Sequence, residues 1–131
     1  MIRFFNEDIG FPKIRRTLLK SWITSVISLH NAKLGQVSII FVSDKYLLDM
    51  NNQYLSHNYF TDIITFNYSE SVENQQVISG DLFISLDTVK SNSVDFNVSY
   101  EHELNRVIIH GILHLLGQND ESDEEFDEMK R

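Results

Sequence analysis

The chain has 131 residues, of which 42% are hydrophobic and 23% are charged, values typical of one soluble globular domain. It contains no cysteine, which excludes disulfides, thiolate nucleophiles and cysteine-ligated zinc sites. Any metal site must therefore use histidine, aspartate or glutamate. No stretch approaches the roughly 18 apolar residues of a membrane helix. The N-terminal sequence lacks the apolar run of a signal peptide, so we expect a cytoplasmic protein without a membrane partner.

The net charge of −8 is unevenly distributed along the chain. Residues 1–50 contain seven Lys or Arg and four Asp or Glu, whereas residues 51–131 contain four and fifteen. The acidic run 120–128 is typical of a solvated helix surface or tail. The positive first half suits a polyanionic partner. Its N-terminal basic residues are Arg3, Lys13, Arg15, Arg16 and Lys20.

The first half of the chain predicts alternating strands and helices. "IRFF" (2–5) is a short strand, and apolar residues then recur at helical spacing from about 13 to 31. Pro12 lies where this helix begins, a position that tolerates proline. "QVSIIFVS" (36–43) is rich in β-branched residues and predicts a second strand. Ser43 is the expected N-cap of the helix that follows.

The second half predicts a hairpin followed by two helices. "TDIITFNY" (61–68) and "GDLFIS" (80–85) are the two strands, and the polar "SESVENQQ" between them reads as a loop. Helices are expected over about 86–96 and 100–116, with Gly117 as a left-handed C-cap. The order β-α-β-α-β-β-α-α predicts one α+β domain over 1–131. Its small mixed sheet of about four strands is covered by helices.

The segment "HGILHLLGQND" (110–120) carries the strongest chemical signal. Residues four apart on a helix lie one turn above each other, so His110 and His114 present their rings on the same side. Gly117 permits a sharp turn that brings Asp120 back toward these rings. Imidazole and carboxylate are both zinc ligands, and three protein ligands leave a fourth position for water. This pattern favours a catalytic zinc site on the long C-terminal helix and the following turn.

Two other interpretations of this segment remain open. The histidines can be satisfied residues of a core helix, in which case Asp120 belongs to an acidic surface tail. The spacing also resembles that of a metallopeptidase, but the glutamate that acts as general base there is replaced by Gly111. Asp123 is an alternative third ligand if the turn is longer.

Three segments in the right order resemble the YbeY family, the single-strand-specific endoribonucleases of ribosomal RNA maturation. "HGILHLLGQND" resembles the family signature H-G-x-L-H-L-x-G-x-D-H. "MNNQYLSHNYFTDIITF" (50–66) resembles L-N-x-x-Y-R…P-T-D-V-L-S-F, and "SGDLFIS" (79–85) resembles G-D-[IV]-x-I-S. The matching residues in the last two segments are Asn51, Tyr54, Thr61, Asp62, Phe66, Gly80, Asp81, Ile84 and Ser85.

The resemblance implies that His110 and His114 are the first two ligands of one zinc ion per chain. The family's third ligand is usually histidine, and Asp120 stands in its place, preceded by Asn119 instead of aspartate. The family's cleft arginine is replaced by Leu55, which can neither pair with a phosphate nor stabilise developing charge. Phe60 replaces the family's proline.

Five other residues are candidates for work on RNA. Asp62, early in a predicted strand, can orient a ligand or accept a proton, or else cap a loop. Arg106, one turn before His110, can reach the mouth of a cleft. Arg15 and Arg16 are expected distant phosphate contacts. His57 can substitute partly for the missing arginine, or else is a surface histidine.

The first hypothesis is a zinc-dependent endoribonuclease acting on single-stranded RNA, in maturation of the 16S ribosomal RNA 3′ end and ribosome biogenesis. The second is a maturation factor that binds RNA or a ribosomal protein of the small subunit, with weak or no catalysis. Leu55 and the acidic balance favour the second. A metallopeptidase is a weaker third hypothesis, since Gly111 cannot take a proton.

Overall fold

The computed structural model describes residues 1–55 and 61–117, and of Leu55 only the backbone. The predictions for His57, Phe60, Asn119, Asp120 and Asp123 therefore lie outside the described residues. The elements in chain order are β1 (Ile2–Asn6), α1 (Arg16–Leu29), β2 (Lys33–Val42), α2 (Asp44–Leu55), β3 (Ile63–Asn67), β4 (Glu70–Val72), β5 (Gln75–Ser85), α3 (Leu86–Asp95) and α4 (Tyr100–Leu115). None of the helices in these two ranges is long and apolar enough to cross a membrane.

The strands form one mixed sheet in the order β1-β2-β5-β3, with β4 also paired to β5. β1 and β5 both run parallel to β2, whereas β3 and β4 run antiparallel to β5. The predicted α+β class is confirmed. The sheet has five strands in the described residues rather than about four, because the predicted loop 69–76 contains β4 and the start of β5.

The hairpin between β4 and β5 was missed because its residues are polar and exposed. All three residues of β4 are exposed, so no apolar alternation marks the strand. Glu73 and Asn74 both have positive φ, at 50° and 64°, and Val72 pairs with Gln75 across them. Positive φ at both central residues is the two-residue turn that matches the twist of a hairpin.

Helix α1 begins at Arg16, not near residue 13 as the apolar spacing predicted. Residues 11–15 before it form no regular element. The ring of Phe11 meets the buried ring of Phe41 edge to face, with the ring centroids 5.5 Å apart. An irregular segment anchored by an apolar residue can have the same composition as the first turn of a helix. The apolar spacing therefore could not distinguish residues 11–15 from the start of α1.

The two faces of the sheet bury separate sets of side chains. Ile39 and Phe41 of β2 belong to the main core, in which α1 and α4 pack on the sheet and α3 packs on α4. Ile40 and Val42 alternate with them and belong to a smaller cluster under α2. Ser43 caps α2 as predicted, since its hydroxyl accepts from the backbone N–H of Tyr46 at 3.2 Å.

Helix α4, which carries the two histidines, matches its predicted range to within one residue. The Ser99 hydroxyl caps it by accepting from the backbone N–H of His102 at 3.0 Å. Gly117 has φ +88° after its end, as predicted. α4 packs on α3, β3 and β5, and this places its last two turns beside the start of β3.

Candidate metal centre

His110 and His114 lie side by side on α4, as their spacing predicted. Their Nε2 atoms are 2.9 Å apart and their ring centroids 4.5 Å apart. Both residues are half-buried. Two imidazole nitrogens at zinc–nitrogen distances near 2.0–2.1 Å in a tetrahedral site stand about 3.3 Å apart. Opening the pair by a few tenths of an ångström would let both nitrogens hold one ion, so the two side chains fit a zinc site.

Gly111 lies on the face of α4 that packs against the sheet, and its lack of a side chain lets the helix lie close to it. A Cβ at this position would lie 2.2 Å from Leu82 Cδ2 and 2.6 Å from Ile63 Cδ1. Both neighbours belong to the main core. A glutamate at 111 would have to enter that core. This packing gives a structural reason for the glycine and counts further against the metallopeptidase interpretation.

The third ligand lies outside the part of the chain that the structure describes. Within residues 1–55 and 61–117, no cluster of three histidine or acidic side chains could hold a metal. Asp120 therefore stays a prediction. Gly117, three positions before Asp120 in the sequence, has the positive φ that the predicted turn requires.

The carboxylate of Asp62 and the guanidinium of Arg106 meet beside the histidine helix. Arg106 Nη2 is 3.6 Å from Asp62 Oδ2, and Asp62 is only 7% exposed. The residue after Asp62 is Ile63, which meets α4 at Gly111. Since Arg106 is one turn before His110, the two predicted catalytic residues are brought together next to the histidine pair.

Glu103 fixes the position of Arg106, and sequence reasoning missed it. The carboxylate of Glu103, which is 1% exposed, accepts from Arg106 Nε at 2.9 Å and from Nη2 at 2.7 Å. It also accepts from Asn92 Nδ2 of α3 at 3.3 Å. The hydrogen bond to Glu103 raises the pKa of Arg106, which burial alone would lower. A signal was present, because Glu103 precedes the buried Val107 and Gly111 at four-residue spacing on the apolar stripe.

The two adjacent arginines predicted to contact RNA have different surroundings. Arg15 donates from Nη2 and Nε to the two carboxylate oxygens of Glu101 on α4, at 2.7 Å and 3.0 Å. Its charge is thus balanced within the protein. Arg16 instead lies over the ring of Phe11, with Cζ 4.4 Å from the ring centroid.

An aromatic hollow on the α2 face of the sheet was also missed. It has a volume of about 550 Å³, and its aromatic side chains are Tyr46, Tyr54, Phe66, Tyr68 and Phe83. Asp81 lies within β5 and faces this hollow, where it accepts from the Tyr68 hydroxyl at 3.3 Å. The residues that line the hollow come from α2, β3, β5 and the segment after β3, so no local sequence pattern indicates it.

Comparison with known proteins decides the family. The family model described as Endoribonuclease YbeY matches residues 4–131. The chain belongs to the YbeY endoribonuclease family. The resemblance inferred from the three sequence segments is confirmed, and the histidine pair occupies the C-terminal signature of that family.

Relatives and a solved structure agree with this assignment. Two proteins named Endoribonuclease YbeY, from Parabacteroides distasonis and Bacteroides fragilis, are each 50% identical over 119 residues. The matches cover 91% of this chain, and 81% and 83% of those relatives. The solution structure of TM1509 from Thermotoga maritima superposes with a TM-score of 0.62 at 28% identity, covering 99% of this chain and 85% of that one. The YbeY-like α+β fold extends over the described elements.

Proposed function

We propose that this endoribonuclease uses one zinc ion per chain, held by His110, His114 and Asp120, to cleave single-stranded RNA. The observation that carries the proposal is the 2.9 Å separation of the Nε2 atoms of the two half-buried histidines. The carboxylate and guanidinium beside them, Asp62 and Arg106, supply the other groups that a phosphodiesterase needs. The family assignment supports RNA as the substrate.

The side chains of the site divide the chemical work between them. When bound, zinc supplies Lewis-acid chemistry that activates water and polarises a phosphoryl oxygen. Asp62, nearly buried at the start of β3, is placed to orient water or accept a proton. Arg106 carries the positive charge that a phosphate oxygen needs. Glu103 holds that guanidinium in one orientation through two hydrogen bonds.

The physiological substrate in this proposal is a ribosomal RNA precursor, and the reaction is maturation of the 16S 3′ end in the cytoplasm. This proposal is supported by the membership of the chain in the YbeY endoribonuclease family and by relatives that are named endoribonucleases. Small-subunit ribosomal proteins are the expected partners. A maturation factor with weak catalysis is the alternative. Leu55 at the family's arginine position, and the pairing of Arg106 with Glu103, favour it.

The test combines metal analysis with RNA cleavage by the purified protein. We expect one zinc per chain by elemental analysis, and cleavage of single-stranded RNA but not of duplex. His114→Ala should lose both zinc and cleavage, whereas His102→Ala, at an exposed position of the same helix, should keep both. Asp120→Ala should bind zinc much more weakly, and Asp120→His should retain it.

Two results would contradict this proposal. Undiminished zinc affinity in Asp120→Ala would remove Asp120 from the site and leave Asp123 or water in its place. Zinc-loaded wild-type protein that binds single-stranded RNA without cleaving it would favour the maturation factor.

A further inference from the structure

Two cations of α1 lie over aromatic rings that are fixed to the core. Arg16 Cζ is 4.4 Å from the ring centroid of Phe11, and Lys20 Nζ is 5.9 Å from that of Phe4. Both rings pack on Phe41. The ring of Phe4 is stacked with it at a centroid distance of 6.3 Å, and the ring of Phe11 meets it edge to face at 5.5 Å. Phe41 is fully buried. The platform beneath the two cations is thus part of the protein core.

These two cations keep their charge available at the surface. Arg16 and Lys20 are both exposed. The ion pairs within residues 1–55 and 61–117 involve only Arg15 and Arg106 as cations. An aromatic ring attracts a cation through its quadrupole and does not neutralise it. Arg15, one position earlier, is instead balanced by Glu101.

We propose that Arg16 and Lys20, held over Phe11 and Phe4, form a contact surface for the phosphate backbone of the RNA substrate, and that Arg15 is not part of it. The inference rests on the proposed function and names its RNA-binding surface. Contact with a ring pre-organises each long side chain, which reduces the rotamer entropy lost on binding. The two residues are four positions apart, a rise of about 6 Å along the helix axis.

The position of the Arg16–Lys20 surface fits a strand that extends away from the histidine pair. Arg15 joins α1 to Glu101 near the start of α4. His110 is about 13 Å further along that helix, at 1.5 Å per residue. Lys20 lies over Phe4 of β1, whereas α4 packs on β3 and β5 toward the other edge of the sheet. RNA that reaches both places must therefore cross the helical face of the sheet, and its phosphates then release counterions at a site remote from the scissile bond.

The experiment measures the salt dependence of binding to a labelled single-stranded RNA oligonucleotide by the zinc-loaded, full-length protein. Each phosphate contact on a single strand contributes about 0.7 to the slope of log affinity against log salt. Arg16→Ala and Lys20→Ala should each lower the slope by about 0.7, and the double variant by about 1.4. Arg16→Lys should keep the wild-type slope.

The matched control is the double variant Arg15→Gln/Glu101→Gln, which removes the neighbouring ion pair without changing the net charge. Its slope should equal that of the wild type. A wild-type slope in Arg16→Ala/Lys20→Ala, with an unchanged thermal midpoint, overturns the proposal. An equal loss in the control does so too, because the effect is then not specific to the surface.

The remaining outcomes separate the surface from the catalytic proposal. Variants that bind RNA normally but lose affinity for an acidic peptide or phosphatidylserine vesicles refute RNA as the partner. Wild-type protein that shows the predicted slopes without cleaving RNA supports the surface and refutes the catalytic proposal. Wild-type protein that cleaves RNA, together with variants of Arg16 and Lys20 whose salt slopes equal that of the wild type, supports the catalytic proposal and refutes the surface. Absence of RNA binding refutes both.

Discussion

Gly111→Ala tests whether the glycine between the histidines is required by packing. In a helix this change ordinarily stabilises by about 1 kcal/mol. Here the added Cβ would lie 2.2 Å from Leu82 Cδ2 and 2.6 Å from Ile63 Cδ1, so two core side chains must move. Overpacking of this kind costs about 1–3 kcal/mol. Since both contacts are far below van der Waals distance, we take about 3 kcal/mol and expect a net loss of about 2 kcal/mol.

Urea unfolding of single and double variants measures this loss and its cause. At this chain length, about 2 kcal/mol also lowers the thermal midpoint by roughly 6–10 °C. In a Leu82→Ala background the nearer clash is relieved and that with Ile63 remains, so Gly111→Ala should cost less than in the wild type, with a coupling of about 1 kcal/mol. Gly117→Ala, at φ +88° with nothing within 4 Å of its added Cβ, is a control that should be additive with Leu82→Ala. If the free-energy changes of Gly111→Ala and Leu82→Ala are additive in the double variant, the packing argument is refuted.

Two further predictions concern stability away from the histidines. Burial raises the pKa of Asp8, but hydrogen bonds from the Ser43 side chain and backbone outweigh it, so the folded pKa lies below 3.8. This stabilisation is present above the unfolded pKa and is lost as pH falls through the folded one. The thermal midpoint of Asp8→Asn should therefore lie below that of the wild type at neutral pH, and the two midpoints should converge below about pH 4. A difference between the midpoints that stays constant with pH would exclude the Asp8 carboxylate as its cause. Glu73→Asn should raise the free energy of unfolding by up to about 1 kcal/mol, because asparagine tolerates the left-handed conformation at φ 50°. Glu70→Asn, within β4, should bring no such gain in the same urea titration.

Local patterns predicted helix α4 to within one residue, because its apolar spacing and the glycine after its end are both contained in the sequence. The same spacing places Glu103 on the apolar stripe of α4, but its burial was not predicted because a charged residue is normally read as exposed. Its burial depends on Asn92 of another helix and on Arg106. Arg15 and Arg16 show the same limit. Arg15 has the non-helical backbone of an N-cap and Arg16 is the first residue of α1, and only the packing around this helix start decides that the former meets Glu101 and the latter Phe11.

The charges beside the histidine pair bear on the proposal that RNA has a second point of attachment on α1. Glu103, Arg106 and Asp62 lie within one connected set of ion pairs, and their formal charges leave one net negative charge. Asp120, as a third ligand, would add another. Such surroundings stabilise a divalent cation, whose charge of +2 would offset these two negative charges and leave the loaded site with no net charge to attract RNA. In the proposal, further attraction of RNA comes from cations that form no ion pair within the described residues, and on α1 these are Arg16 and Lys20. The negative side chains at the proposed metal centre would then hold the metal, and the positive charge on α1 would hold the RNA.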